Sequence, residues 1–214
     1  FLQENNAAKW FCGFGLATKT PTFTLFGKIR KKIGTTKLSK LFSAIRDSLK
    51  SQGNISEIFT FVDASHLISK ATLWKERDAV IKKKADKLNN ETLSKIAYDK
   101  EARIGCKGKN KFWYGYKKHA SVDMKYGLIN KIALTAANTS DCMGLKNVCP
   151  RDGVIYADKG YCGKKASALA SYKGATLHAI KRNNMSAKNK DLDRFISGIR
   201  APFEGVFSRD NKRT

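Results

Sequence analysis

Apolar residues recur at three- and four-residue steps early in the chain: Leu25, Phe26, Ile29 and Ile33, then Leu38, Leu41, Phe42, Ile45 and Leu49. That period sets them on one helical face, so residues 1 to about 55 read as a helical N-terminal segment. Thr35 or Thr36 is placed to cap the second of its helices, and Gly53 follows that helix's end. Lys28, Arg30, Lys31 and Lys32 leave the opposite face positive. The pattern then changes. Ile58-Phe59-Thr60-Phe61-Val62 is a β-branched and aromatic run, a strand that ends at Asp63. From Lys75 to about Lys111 the chain is rich in lysine and asparagine and weakly periodic, which reads as an exposed, partly irregular basic insertion.

Phe112 to Val122 and Leu128 to Thr135 read as two strands, with Tyr126-Gly127 as the hairpin turn between them. Gly153 to Ala157 is a further strand, running into Asp158. Helical spacing through Ala166, Leu169 and Tyr172 leads to a strand at Thr176–Ile180, and a last helix runs from about Lys190 to Phe207. Pro202 falls inside that helix, marking a start or a kink there. Three antiparallel strands followed by βαβ units make an α/β fold with a mixed sheet and helices on both faces. The organisation is a segment 1–55, read as truncated because it opens on Phe1 rather than Met, and a domain 56–214 carrying the basic insertion at about 75–111.

Charge narrows the partners. Among 214 residues, 42 Lys and Arg face 18 Asp and Glu, a formal net charge of +24. Such an excess calls for a polyanion, with nucleic acid ahead of an anionic membrane surface. With 42% hydrophobic residues the chain can bury a core. No apolar run approaches the roughly 18–20 residues that span a bilayer, which argues against a membrane protein. The five cysteines (Cys12, Cys106, Cys142, Cys149 and Cys162) form no Cys-x-x-Cys pair, so they read as reduced thiols of a cytoplasmic protein rather than as a disulfide or zinc framework.

With acids scarce, their placement carries information. Asp63 and Asp158 each follow a strand-like run, and adjacent parallel strands would bring the two carboxylates close together. Like charges so placed share a cation or take up a proton, and an all-oxygen site suits Mg²⁺ or Mn²⁺. Glu204 is the candidate third acid: Phe203 and Phe207 pack one face of the last helix, and Arg200 with Glu204 occupies the neighbouring face at an i, i+4 spacing. Three acids around one shared point would hold two ions, the arrangement that displaces a phosphodiester in line.

The segments Phe61-Val62-Asp63-Ala64-Ser65, Trp113-Tyr114-Gly115-Tyr116-Lys117-Lys118-His119, Ala157-Asp158-Lys159-Gly160-Tyr161 and Arg200-Ala201-Pro202-Phe203-Glu204 resemble the DDE transposases of bacterial insertion sequences, in the IS-four/IS-five superfamily. The resemblance covers about residues 10–214, and its most specific element is Asp158-Lys159-Gly160-Tyr161. It implies a ribonuclease-H-like catalytic core, double-stranded DNA as substrate at element ends and target, and two Mg²⁺ or Mn²⁺ ions held by Asp63, Asp158 and Glu204. It also implies a homodimer in the synaptic complex and a bacterial cytoplasmic, nucleoid-associated location. Arg200 matches the arginine of the family's Tyr-x-x-Arg-x-x-x-Glu-x-x-x-x-x-x-Lys signature. Ser197 stands at the tyrosine position, Asn211 at the lysine position with Lys212 next to it, and Pro21-Thr22 where the family has Pro-Asp.

Further cations join the DNA-binding set. Arg103, Lys107, Lys109 and Lys111 are interleaved with Gly105 and Gly108, which lets backbone approach phosphates. Lys159, beside Asp158, is placed for a scissile phosphate. Trp113 and Tyr114 read as core aromatics or as stacking platforms for an unpaired base. His119 is either a hydrogen-bonded core residue or one facing the metal site, with Asp123 on the same face. Asp141 reads as a helix cap, or as the third acid in place of Glu204. The competing functional readings are a non-catalytic basic DNA-binding protein, including a decayed transposase copy, and a nuclease without strand transfer.

Overall fold

The longest antiparallel pairing organises the sheet. Strand β1 (Phe59–Ile68) runs beside β3 (Lys111–Asp123), from Thr60 opposite Asp123 to Ile68 opposite Gly115. The computed structural model describes residues 2–69, 90–107, 111–185 and 188–208, and the chain divides into two units, Phe1–Leu49 and Lys50–Thr214.

On its other edge β1 pairs in parallel with β5 (Val154–Ala157), which pairs in parallel with β6 (Thr176–Ala179). Beyond β1, β3 pairs antiparallel with β4 (Ile129–Ala136) and, over its first residues, with β2 (Arg103–Lys107). Gly127, at φ +69°, makes the β3–β4 turn possible, because that left-handed backbone carries little penalty only for glycine. Asp123 fastens this turn, accepting from the backbone N–H groups of Ser56, Lys125 and Tyr126.

The two faces are covered by different helices. Val62, Ile155 and Ala157 are fully buried against Leu145 and Val148 of α4 (Asp141–Val148) and Ala166 and Ala170 of α5 (Lys164–Tyr172). Each large aliphatic side chain buried this way contributes about 1.5–3 kcal/mol. On the opposite face Phe61, Ala120 and Val122 meet Phe203 of α6 (Lys190–Ser208). The pattern of β1 explains the division: alternate residues point to opposite faces, so Val62 goes to α4 and Phe61 to α6. The α/β class, the mixed sheet and the helices on both faces are as the sequence predicts.

One expectation is corrected and two are narrowed. Strand β1 does not end at Asp63; it continues to Ile68, because β3 keeps pairing with it after β5 has stopped. The insertion is not wholly exposed: α3 (Asn90–Ile96), β2 and the irregular stretch 97–102 between them bring Leu93, Ala97 and Ala102 onto Tyr114 in a small third core cluster. Residues 70–89 and 108–110 of that segment, with Lys82-Lys83-Lys84, lie outside the described residues. Pro202 falls inside the last helix as read, and since α6 begins at Lys190 the helix does not start there.

The other unit contains α1 (Asn6–Phe11), capped by Asn5 Oδ1 on the Ala8 N–H at 2.9 Å, and the body of α2 (Phe23–Ser51). Gly34 breaks α2 with φ +78° and ψ 162°, immediately before the two threonines predicted to cap a second helix. No helix among the described residues is long and apolar enough to cross a membrane, and all five cysteines are free thiols.

Candidate active site

Sheet register sets the first two acids. Val62 of β1 lies opposite Ala157 of β5, and that is the last pair of the parallel ladder. The next residue on each strand is an aspartate, Asp63 still inside β1 and Asp158 stepping off the end of β5. Alternation puts Asp63 on the Phe61 side of the sheet, the side covered by α6. Its Oδ1 accepts from the Ala64 N–H at 2.8 Å. Burial raises the Asp63 carboxyl from 3.8 to about 6; the charge of Asp158 adds to the rise, while the Ala64 N–H, Arg200 and Lys107 oppose it.

Asp158 opens a single 3₁₀ turn, Lys159–Tyr161, closed by the Tyr161 N–H on the Asp158 carbonyl at 2.9 Å. Glycine is needed at 160 because a Cβ there would overlap the carboxylate of Asp141. Tyr161 drops into the core on the α4 side and is 1% exposed. The short Asp-Lys-Gly-Tyr run thus presents Asp158 and Lys159 outward while its last residue is sunk beneath the sheet.

Helix α6 supplies the third component. Arg200 is 7% exposed, stacked over the Phe61 ring with Cζ 5.0 Å from the ring centroid. Its Nη1 lies 3.4 Å from Asp158 Oδ1 and its Nη2 lies 3.8 Å from Glu204 Oε1. Nε is buried without a hydrogen-bond partner. Arg200 therefore ties Asp158 to Glu204 and adds its positive field to Asp63. Glu204 itself is exposed. The three carboxylates do not meet at one point: among the described residues no three His, Cys, Asp or Glu side chains stand close enough to hold a metal ion together.

An open cleft of about 520 Å³ lies between the Asp158 turn and α6. Lys159, Lys188, Lys190, Arg194 and Arg200 line it, together with Asp158, Asp193, Ser197 and Glu204. Lys188, Lys190 and Arg194 were not singled out from sequence, although Lys190, Arg194, Ser197, Arg200 and Glu204 recur at helical steps of three and four. Asp193 holds the cleft wall, accepting from the Lys181 N–H at 3.0 Å. Ser197 returns its hydroxyl to the Asp193 carbonyl at 2.9 Å.

The remaining sequence candidates divide. Lys107 ends β2 opposite Lys111 and is near enough to Asp63 to bias its charge. Arg103 donates to the carbonyls of Lys100 and Ala102, at 2.7 and 2.8 Å, within its own turn. Lys109 and Lys212 lie outside the described residues. Trp113 is packed edge-on to His66, centroids 4.2 Å apart, and Tyr114 is buried with its hydroxyl on the Asp99 carbonyl. Tyr114 is a core aromatic, while Trp113 is half-buried.

His119 is fully buried on the face opposite Asp63, between Tyr161 Oη and Thr135 Oγ1. Asp141 does not cap α4, whose N-cap is Ser140; its carboxylate pairs with Lys117 Nζ at 2.9 Å. A buried ionic network that sequence reading missed centres on Glu57. It takes Lys50 Nζ at 3.1 Å, Asn130 Nδ2 at 3.0 Å and the Arg151 N–H at 2.8 Å.

An aspartate on β1 and another just past the end of β5, beside a buried arginine and a cationic cleft, are suited to gripping and cutting a phosphodiester backbone. Comparison with curated proteins and with solved structures finds no match to the chain. Residues 56–210 match the family model of the transposase DDE domain, and the chain belongs to that family of metal-dependent DNA transposases.

Proposed function

We propose that Asp63, Asp158 and Glu204 are the catalytic and metal-holding acids of an insertion-sequence transposase of the IS-four/IS-five type. The strand order β4-β3-β1-β5-β6 supports a ribonuclease-H-like core for it. The observation that carries the reading is the end of the β1–β5 ladder at Val62 and Ala157, which sets the two aspartates side by side on neighbouring strands.

The three acids are not drawn together among the described residues, but their donor chemistry is that of a Mg²⁺ or Mn²⁺ site. It is all oxygen, and burial together with the charge of Asp158 raises the Asp63 carboxyl to about 6, an unfavourable ionisation that a divalent cation would relieve. Two such ions, when bound, supply activation of a water or 3′-hydroxyl and neutralisation of the leaving oxygen. The chain's own groups do the rest. Lys159 and Arg200 face the same cleft as Asp158 and orient the phosphate beside it. Lys188, Lys190 and Arg194 grip flanking phosphates, and Lys107 and Lys111 extend the basic surface. The basic helical segment 1–55 adds phosphate contacts, and two chains assemble to hold two element ends.

The test is nicking of a plasmid that carries the element's ends, with Mg²⁺ or Mn²⁺ against chelator. Asp158→Asn is expected to abolish nicking at unchanged DNA affinity. Nicking by the variant at the wild-type rate overturns the assignment.

A further inference from the structure

The turn that carries Asp158 and Lys159 is held from the far side of the sheet. Asp158 follows the last residue of β5, so no strand pairing reaches it, and two backbone bonds shape the turn locally, the Tyr161 N–H on the Asp158 carbonyl at 2.9 Å and the Cys162 N–H on the Lys159 carbonyl at 3.3 Å. Side chains add to this hold: Arg200 on the Asp158 carboxylate at 3.4 Å, Arg182 Nε on the Lys159 carbonyl at 3.2 Å and Cys142 Sγ on the Gly160 carbonyl at 3.3 Å, with one further tether in the core beneath the turn. Tyr161 Oη meets His119 Nδ1 at 3.2 Å, and His119 Nε2 meets Thr135 Oγ1 at 2.8 Å. This row crosses β3 and β4 under α4, and a Cβ on Gly144 of α4 would overlap the imidazole. His119 is 0% exposed, so its ring cannot pivot without opening the core.

A fully buried imidazole with a partner on each nitrogen is a costly choice where leucine would fill the space, because each polar atom must stay satisfied. Burial lowers the His119 pKa and raises that of Tyr161 well above the ordinary phenol value, so the ring is neutral and the phenol keeps its proton. The assignment that satisfies both ends has the Tyr161 O–H donating to Nδ1 and Nε2–H donating to Thr135 Oγ1.

Resting on the assignment of Asp158 as a metal-holding acid, we propose that His119 is a positioning residue: through the Tyr161 hydroxyl it fixes the 3₁₀ turn, and so sets where Asp158 and Lys159 stand in the cleft. His119 touches neither DNA nor metal. Its contribution is to the precision of Asp158, in the way that outer partners of metal ligands set affinity and rate.

The experiment uses Tyr161→Phe, His119→Leu, His119→Gln and the double variant His119→Leu/Tyr161→Phe in the full chain. Each is read by melting temperature, by the Mn²⁺ concentration giving half-maximal thermal stabilisation, by DNA affinity and by single-turnover cleavage. Tyr161→Phe removes one hydroxyl and keeps the ring, so it remains foldable if His119→Leu is not. Expected is a roughly 10–100-fold loss in cleavage rate and a weaker Mn²⁺ midpoint at unchanged DNA affinity. His119→Gln, which keeps an acceptor for Tyr161, is expected to recover part of both, and the double variant to be no worse than Tyr161→Phe alone.

Wild-type cleavage and Mn²⁺ response in folded Tyr161→Phe overturn the proposal, as does a double variant in which the two losses multiply. Asp158→Asn separates the two layers. If that variant still cleaves, the metal assignment has failed; if it is dead while Tyr161→Phe is fully active, the positioning role alone has failed.

Discussion

Arg200 Nη1 stands 3.4 Å from Asp158 Oδ1, from a buried position over the Phe61 ring. A guanidinium is always charged, so the carboxylate that would receive a divalent cation already has a fixed cationic neighbour. Arginine and metal ion repel each other across it. Replacing Arg200 by Gln is expected to lower the Mn²⁺ concentration needed for half-maximal thermal stabilisation several-fold, while reducing cleavage at least 10-fold because the phosphate loses its buried donor. Titration of the apoprotein by differential scanning fluorimetry checks the first effect, and single-turnover nicking the second.

Asp63 gives the pH dependence of the metal-free protein. Its carboxyl rises from 3.8 to about 6, so between those values the folded state binds a proton that the unfolded chain has lost. By linkage, this group's contribution to stability falls as pH rises through that window, by about 1–3 kcal/mol. Asp63→Asn lacks the loss, so the apo variant should melt higher than wild type at pH 7, with the gap closing near pH 4. Saturating Mn²⁺ should stabilise wild type and leave the variant unmoved.

Glu57 behaves with the opposite sign. Burial alone would raise it, but the Arg151 N–H, Asn130, Lys50 and the charge of Lys131 outweigh that and hold it at about 2. Its stabilisation is complete above the ordinary value of 4.5 and disappears as pH falls toward 2. Glu57→Gln is expected to cost about 1–3 kcal/mol at pH 7, by leaving buried donors poorly matched. Urea melts at pH 7 and pH 3 should show that difference shrinking.

The cleft cations predict a salt signature. Alanine at Lys188, Lys190 or Arg194 should weaken DNA binding without regard to sequence, and each lost phosphate contact should reduce the slope of log affinity against log salt by about 1. Fluorescence anisotropy across a salt series measures this directly.

The parts of the molecule legible in sequence are those governed by local periodicity. β1, the β3–β4 hairpin with its Tyr126-Gly127 turn, and the β5–α5–β6 unit all follow from alternation, helical spacing and glycine placement. What local pattern could not show was partnership. Strand β1 was read as stopping at Asp63 because its apolar run ends there; its real length is set by β3, more than 45 residues downstream. Strand β2 was hidden because Arg103-Ile-Gly-Cys-Lys107 carries too few apolar positions to stand out, yet β3 supplies its ladder.

At the site, Asp63, Asp158 and Arg200 were legible as residues, and the nearness of the two aspartates was legible from strand order. The burial of Arg200 between two acids was not, since it depends on how α6 lies across Phe61. The role of His119 was open for the same reason: its partners Thr135 and Tyr161 are distant in sequence, and only the sheet brings them together.

The early end of the parallel ladder at Ala157 has a dynamic consequence. Asp63 belongs to a strand hydrogen-bonded on both edges up to that point and on one edge after it, so its amide should exchange with solvent only on near-global opening. Asp158 belongs to a turn secured by two backbone bonds and by side chains around it. The two acids thus sit in cooperative units of different stability, and local opening of the 158–161 turn would disable the chemistry while the sheet stays intact. Heat or mild denaturant should silence this enzyme well before it unfolds, with the loss reversed on cooling.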